Sequence, residues 1–317
     1  MPELGMLKLL ALTALFGVAC GFVATATWWR VRRESIRRLA PVARLGRLLF
    51  WAGLPVLTGI GLVAVGLLPS VLDSLGLLSD HCHAHPDHHV HLCFVHATHS
   101  HSSLLGWFPV GLFAIWFAAR AATGLADTIR GRRRVRRLCE TAEYDDDAGV
   151  WMLATDVPLA VTVGLVRPEI LVSRRLREEL PDEDWRVIEA HERSHARRRH
   201  GLLGLAVRVL TILHPEPVRD FLRREFAVAC EQIADEDAAD EIGDSVEVAE
   251  TILAVERLFD IPDERSALEP AFGGSEIERR VEGLLDDRWR RPSPAGAVAL
   301  GVLGLLGIIM GYDAVHH

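Results

Sequence analysis

Long apolar runs alternate with arginine-rich segments over the first 140 residues of the chain and again near its end. Leu7 to Thr27, closed by Trp28 and Trp29, is long enough to cross a bilayer as a helix. Two further runs, at about 48–72 and 104–125, have the same character, and Trp107 and Trp116 are candidate interface anchors in the second. The pattern predicts three spans, at about 7–29, 48–72 and 104–125, within residues 1–125. Basic segments follow the first span, at 30–47, and the third, at Arg130 to Arg137, and both are expected on the cytoplasmic side. That places loop 73–103 outside. A cleaved signal peptide is disfavoured, because it would leave the basic 30–47 segment on the outer side. A shorter apolar run at 295–310 follows Arg288, Arg290 and Arg291, so 293–317 is expected to hold a last transmembrane or re-entrant segment.

Between these lies a stretch, 126–292, whose periodicity is that of a folded domain. Trp151 to Thr155, Leu159 to Val166 and Ile170 to Val172 are rich in valine and leucine and read as strands, with turns at Asp156-Val157-Pro158 and Arg167-Pro168-Glu169. An exposed edge of such a sheet could take a substrate backbone as an added strand. Pro181 with Asp182, Glu183 and Asp184 then makes a suitable first helical turn, with carboxylates at the positive end of the dipole. Trp185, Ile188, His191, Glu192 and His195 share one broad face of that helix, and Gly201 is its expected end. Residues 201–213 are apolar but too short to span and carry Arg208, which predicts a buried or interfacial helix. Further helices are expected at about 218–240, 246–258 and 276–285. The fold class is therefore an α-helical integral membrane protein carrying an α+β domain, a small sheet beside the helix with the histidines.

Composition agrees with this division. Half of the 317 residues are hydrophobic while a quarter are charged, a mixture expected of membrane spans joined to a charged soluble part. The net charge is −8, with the acids mainly after residue 140, which is not a nucleic-acid-binding profile. Five cysteines without a Cys-x-x-Cys pair argue against a cysteine zinc site or a disulfide scaffold.

The chemistry concentrates at His191-Glu192-Arg193-Ser194-His195. On a helix His191 and His195 lie about 40° apart, so two imidazoles can reach one Zn²⁺ with Glu192 beside them. A zinc ion held by those two and one more protein ligand keeps a fourth position for water, and the carboxylate can take that water's proton for attack on a peptide carbonyl. Glu231 is the better candidate for the third ligand. It shares a helix face with Asp235 at i, i+4, so Asp235 could hold a ligand imidazole by its other nitrogen. His200, about 140° round the helix from His195, is expected to be a surface or capping histidine, and His214 a structural one. The outer loop holds His81, His83, His85, His88, His89, His91, His96, His99 and His101, with Cys82 and Cys93 among them. At that density the loop is a candidate for auxiliary metal binding or pH sensing.

With these residues assembled the chain resembles the membrane zinc metallopeptidases of the BlaR/MecR antirepressor type, within the gluzincins. The resemblance rests on Gly164 to Ser173, His191 to Arg199, His214-Pro215 and Glu231 to Asp235, which occur in that family's order. It implies His191, His195 and Glu231 as zinc ligands, Glu192 as general base and Asp235 as the residue behind a ligand. His200 departs from the acidic residue more typical at its position, and the chain ends without the large outer penicillin-binding domain, so a β-lactam ligand is not expected. The reading is a multi-pass cell-membrane zinc endopeptidase that cuts a protein substrate, a transcriptional regulator or itself, at the cytoplasmic face. Two alternatives stand beside it: a membrane quality-control protease of the HtpX type, and a non-proteolytic metal-sensing receptor.

Overall fold

A computed structural model describes residues 2–77, 104–146, 148–259 and 274–286. The nine-histidine segment and the apolar run at 295–310 lie outside these residues. Helices α1 (Pro2–Ile36), α2 (Pro41–Ser74) and α3 (Phe108–Cys139), the last with the short helical turn Leu104–Trp107 before it, contain the three apolar runs, and each is long and apolar enough to cross a membrane. Helices α1 and α2 approach so closely that a Cβ on Gly21 would lie 2.5 Å from the Pro55 Cα, which is why glycine stands there. Thr58 donates to the Gly17 carbonyl across the same contact (2.7 Å), and Trp28 stacks on Trp51 at 4.6 Å. Helix α3 docks through Trp116, edge-on to Phe22 of α1 at 6.5 Å, and through Arg120. Arg120 donates to the Ile212 and His214 carbonyls (2.9 and 3.2 Å), which sit at the end of a helical segment where carbonyls lack intrahelical partners.

The sheet has the order β1-β2-β4-β3, built from β1 (Ala142–Asp145), β2 (Val150–Leu153), β3 (Ala160–Val163) and β4 (Glu169–Ser173). β2 and β4 are parallel and the outer pairs antiparallel, so β3 is an edge. The β3–β4 turn needs Gly164 (φ 96°), where a Cβ would collide with the Arg167 carbonyl oxygen. β1 has no counterpart among the predicted strands, because its four residues, Ala-Glu-Tyr-Asp, are few and lie in an acidic stretch without a valine- or leucine-rich run. Its pairing with β2, and Tyr144 edge-on to Trp151 at 5.2 Å, supply what the pattern does not.

Helices α4 (Arg174–Glu179), α5 (Asp182–Arg198), α6 (His200–Leu210), α7 (Glu216–Ile242), α8 (Ser245–Phe259) and α9 (Gly274–Leu285) complete the domain. Val150, Val172, Leu176, Leu180, Trp185 and Ile188 pack the sheet onto α5. Val187, Ala190, Ala238, Val248 and Leu284 join α5 to α7, α8 and α9. A third cluster, with Ile36, Leu48, Ala52, Val207, Leu222 and Phe226, seats α6 and α7 directly on the ends of the membrane helices. Within that seam Glu225 is fully buried, and Arg37, Arg44 and Arg279 surround it at 2.8, 3.8 and 2.7 Å. His214 is buried as well, its Nε2 3.1 Å from the Ala52 carbonyl, in keeping with a structural role.

Candidate metal centre

Helix α5 forms for the reasons its sequence suggests, with Asp182, Glu183 and Asp184 in the first turn and arginines in the last. It ends earlier than Gly201. Arg199 adopts the left-handed conformation (φ 53°, ψ 44°), its N–H closing on the Ala196 carbonyl, and α6 starts afresh at His200. That break overturns the expectation for His200. Extrapolating 100° per residue past Arg199 sends His200 to the surface, whereas the left-handed residue turns it back into the core, 7% exposed, with its Nδ1 2.9 Å from the Nδ1 of His195.

The facing helix α7 brings Glu231 and Asp235 to the same place, and the two helices are tied just beyond it. Asp237 accepts from Ser194 and from Arg197 and Arg198 at 2.7–2.8 Å. These bonds hold Asp237 well below the usual carboxylate range: burial opposes the charge, but the Arg198 and Ser194 bonds outweigh it.

His191 Nε2 and His195 Nε2 lie 3.0 Å apart, and the Glu231 carboxylate oxygens are 3.4 and 3.5 Å from them respectively. Ligands about 2.0–2.1 Å from a tetrahedral zinc ion stand about 3.3–3.4 Å from one another, so the three groups already have the spacing of such a shell. Behind them each imidazole is held by its remaining nitrogen: His191 Nδ1 lies 2.9 Å from Asp235 Oδ1, and His195 Nδ1 faces His200. In both rings Nε2 is thereby left to face Glu231.

The electrostatics fit a cation. Burial would lower the pKa of His191, but its bonds to Asp235 and Glu231 raise it to about 10. His195 is pushed down to about 4 by burial and by His191. Glu231, though burial opposes its charge, is held low by Arg280 and by His191. One positive charge is thus drawn to a point where two imidazoles and a carboxylate converge, which suits a divalent cation. Glu192, 8% exposed, lies on the sheet side, where the Thr162 hydroxyl is 2.8 Å from Glu192 Oε2 and 2.9 Å from its backbone carbonyl. Burial raises its pKa, against the opposing influence of His191 and Thr162.

His191, His195 and Glu231 are therefore brought together as one group, with Asp235 behind His191 and Glu192 bonded to Thr162, while the nine histidines of 81–101 lie outside the described residues. Three neighbours are not placed in the site by the sequence: His200, read there as a surface or capping residue, Thr162 and Arg280, the last paired with Asp235 and 3.4 Å from Glu231. The acidic residue expected near position 200 was a signal for the first; Thr162 and Arg280 carried none, being an ordinary strand residue and an ordinary helix residue. Comparison with known proteins finds one family, described as BlaR1 peptidase M56, matching residues 98–284, more than half of the chain. No curated protein and no solved structure matches.

Proposed function

We propose, from the premise that the chain belongs to the BlaR1 peptidase M56 family of zinc metallopeptidases, that it is a membrane-embedded endopeptidase whose centre is His191, His195, Glu231 and Glu192. The observation that carries this assignment is the convergence of His191 Nε2, His195 Nε2 and the Glu231 carboxylate at 3.0–3.5 Å, with Glu192 following His191 in the same helix and its carboxylate held by Thr162. Zinc held there would act as a Lewis acid toward the scissile carbonyl and the attacking water. Glu192 takes the proton of that water and passes it to the leaving amide nitrogen, a task suited to a carboxylate whose pKa burial raises above its ordinary value. Thr162 holds the Oε2 of Glu192, and Asp235 and His200 keep the two imidazoles turned inward. Edge strand β3, which carries Thr162, offers its free side to a substrate backbone.

The substrate we propose is a protein cut at the cytoplasmic face in regulated signalling, a transcriptional regulator or the enzyme itself. Supporting that side are the arginines at the domain ends of α1 and α3, among them Arg30, Arg32, Arg33, Arg136 and Arg137. Signal input through the nine outer histidines belongs to the same proposal. The test compares new protein N-termini in cells making the wild type with those making Glu192→Ala. Cuts in cytoplasmic segments that vanish with the variant are expected; cuts confined to outer segments would overturn the assigned side.

A further inference from the structure

Helix α9 delivers two consecutive arginines to two buried carboxylates of α7. Arg279 bonds Glu225 through both terminal nitrogens (2.7 and 3.1 Å), within the seam that seats the domain on α1 and α2. Arg280, one position later, makes a two-pronged pair as well, through Nε and one terminal nitrogen, and its partner lies at the metal centre. Its Nε donates to Asp235 Oδ2 at 2.8 Å and its Nη2 to Oδ1 at 2.7 Å, while Nη1 lies 3.4 Å from Glu231 Oε2.

Asp235 is 1% exposed, and the Oδ1 that accepts from Arg280 also faces His191 Nδ1 at 2.9 Å. A carboxylate held by one imidazole can turn about its Cβ–Cγ bond. A two-pronged guanidinium fixes the carboxylate plane, because its donors are coplanar and match both oxygens. The plane of Asp235 in turn sets the direction of His191 Nε2, and the third nitrogen of the same guanidinium restrains Glu231 from the far side.

We propose that Arg280 is a positioning residue of the metal centre, orienting His191 through Asp235 and restraining Glu231, so that α9 completes the site. This rests on the reading of His191 and Glu231 as ligands. A purely structural role, docking α9, predicts something different, and Arg279 separates the two: it makes the same kind of pair next door without reaching Asp235 or Glu231.

The experiment uses the purified full-length protein in detergent, with zinc affinity measured by chelator competition and ligand geometry by the visible spectrum of the Co²⁺-loaded form. Arg280→Gln is expected to weaken zinc binding by about 10- to 100-fold, the usual effect of losing a partner behind a ligand, and to change the cobalt spectrum. Arg280→Lys, which keeps the charge that docks the helix but loses the fork, is expected to fall between Arg280→Gln and the wild type, and it carries the test alone where Arg280→Gln does not accumulate. Arg279→Gln is expected to keep the wild-type affinity and spectrum, even with a lower unfolding temperature. Wild-type affinity and spectrum in the Arg280 variants, tighter binding in them, or an equal loss in Arg279→Gln would overturn the inference. A wild-type protein that binds no zinc would instead overturn the ligand assignment beneath it.

Discussion

Thr162→Val removes one hydroxyl from β3 while keeping the side chain's shape, and it isolates what that hydroxyl does for Glu192. The lost interaction is a hydrogen bond to a carboxylate that is 8% exposed, of a kind worth about 1.5–3 kcal/mol. Glu192 must face a substrate and a water, so solvent replaces part of the loss, and about 1–2 kcal/mol is the better expectation. At 1.36 kcal/mol per factor of ten, this is a fall of about 5- to 30-fold in kcat. KM should move little, because the hydroxyl restrains the base and does not contact the scissile bond in this reading. The bond to Thr162 favours the charged form of Glu192, so removing it raises the carboxyl pKa further and moves the acid limb of the kcat profile to higher pH. The assay is cleavage of a peptide substrate by purified protein at matched zinc content, with Thr162→Ser as the variant that restores the hydroxyl. Wild-type kcat in Thr162→Val, or an equal loss in Thr162→Ser, would refute the reasoning.

Two further substitutions test the His195 support and the buried acid on α7. His200→Ala leaves the Nδ1 of His195 without its buried partner, at a cost of about 1–3 kcal/mol, and chelator competition should show zinc binding weakened by about 10- to 100-fold, with His200→Asp restoring it; unchanged affinity in His200→Ala would contradict the role given to that ring. Glu236 is raised to about 7 by burial and by Asp240, Asp237 and Asp235, so the folded state holds its proton more tightly than the unfolded chain does. The resulting penalty is absent below about pH 4.5, grows as pH rises and is complete above about pH 7; Glu236→Gln should therefore raise the unfolding temperature at pH 8 but not at pH 4, and an equal change at both would refute the assignment.

The spans and the centre of the site are legible in the sequence because both rest on local periodicity. An apolar run of bilayer length needs no partner to be seen, and His191 with His195, or Glu231 with Asp235, meet simply by being four apart on a helix. What periodicity cannot show is a single residue that breaks it. Arg199 is one among several arginines, yet its left-handed backbone turns His200 from an outward position into contact with His195. Nor can it show contacts between elements far apart in the chain. Thr162 reaches Glu192 across 30 residues, Arg280 reaches Asp235 across 45, and Arg37 reaches Glu225 across 188. Thr162 stands in a run of valine and leucine and the two arginines among several others, so nothing local marks them, and only the packing of the sheet, α9 and the membrane helices against α5 and α7 selects them.

The central claim is that His191, His195 and Glu231 hold zinc while Glu192 moves the proton. It is tested most directly by measuring zinc content and peptide cleavage on the same purified preparations of wild type, Glu192→Ala and Glu231→Ala. Glu192→Ala is expected to retain near-stoichiometric zinc and lose cleavage, because a proton acceptor and not a ligand has gone, whereas Glu231→Ala is expected to lose zinc and cleavage together. Cleavage at the wild-type rate by Glu192→Ala, or full zinc retention by Glu231→Ala, would contradict it.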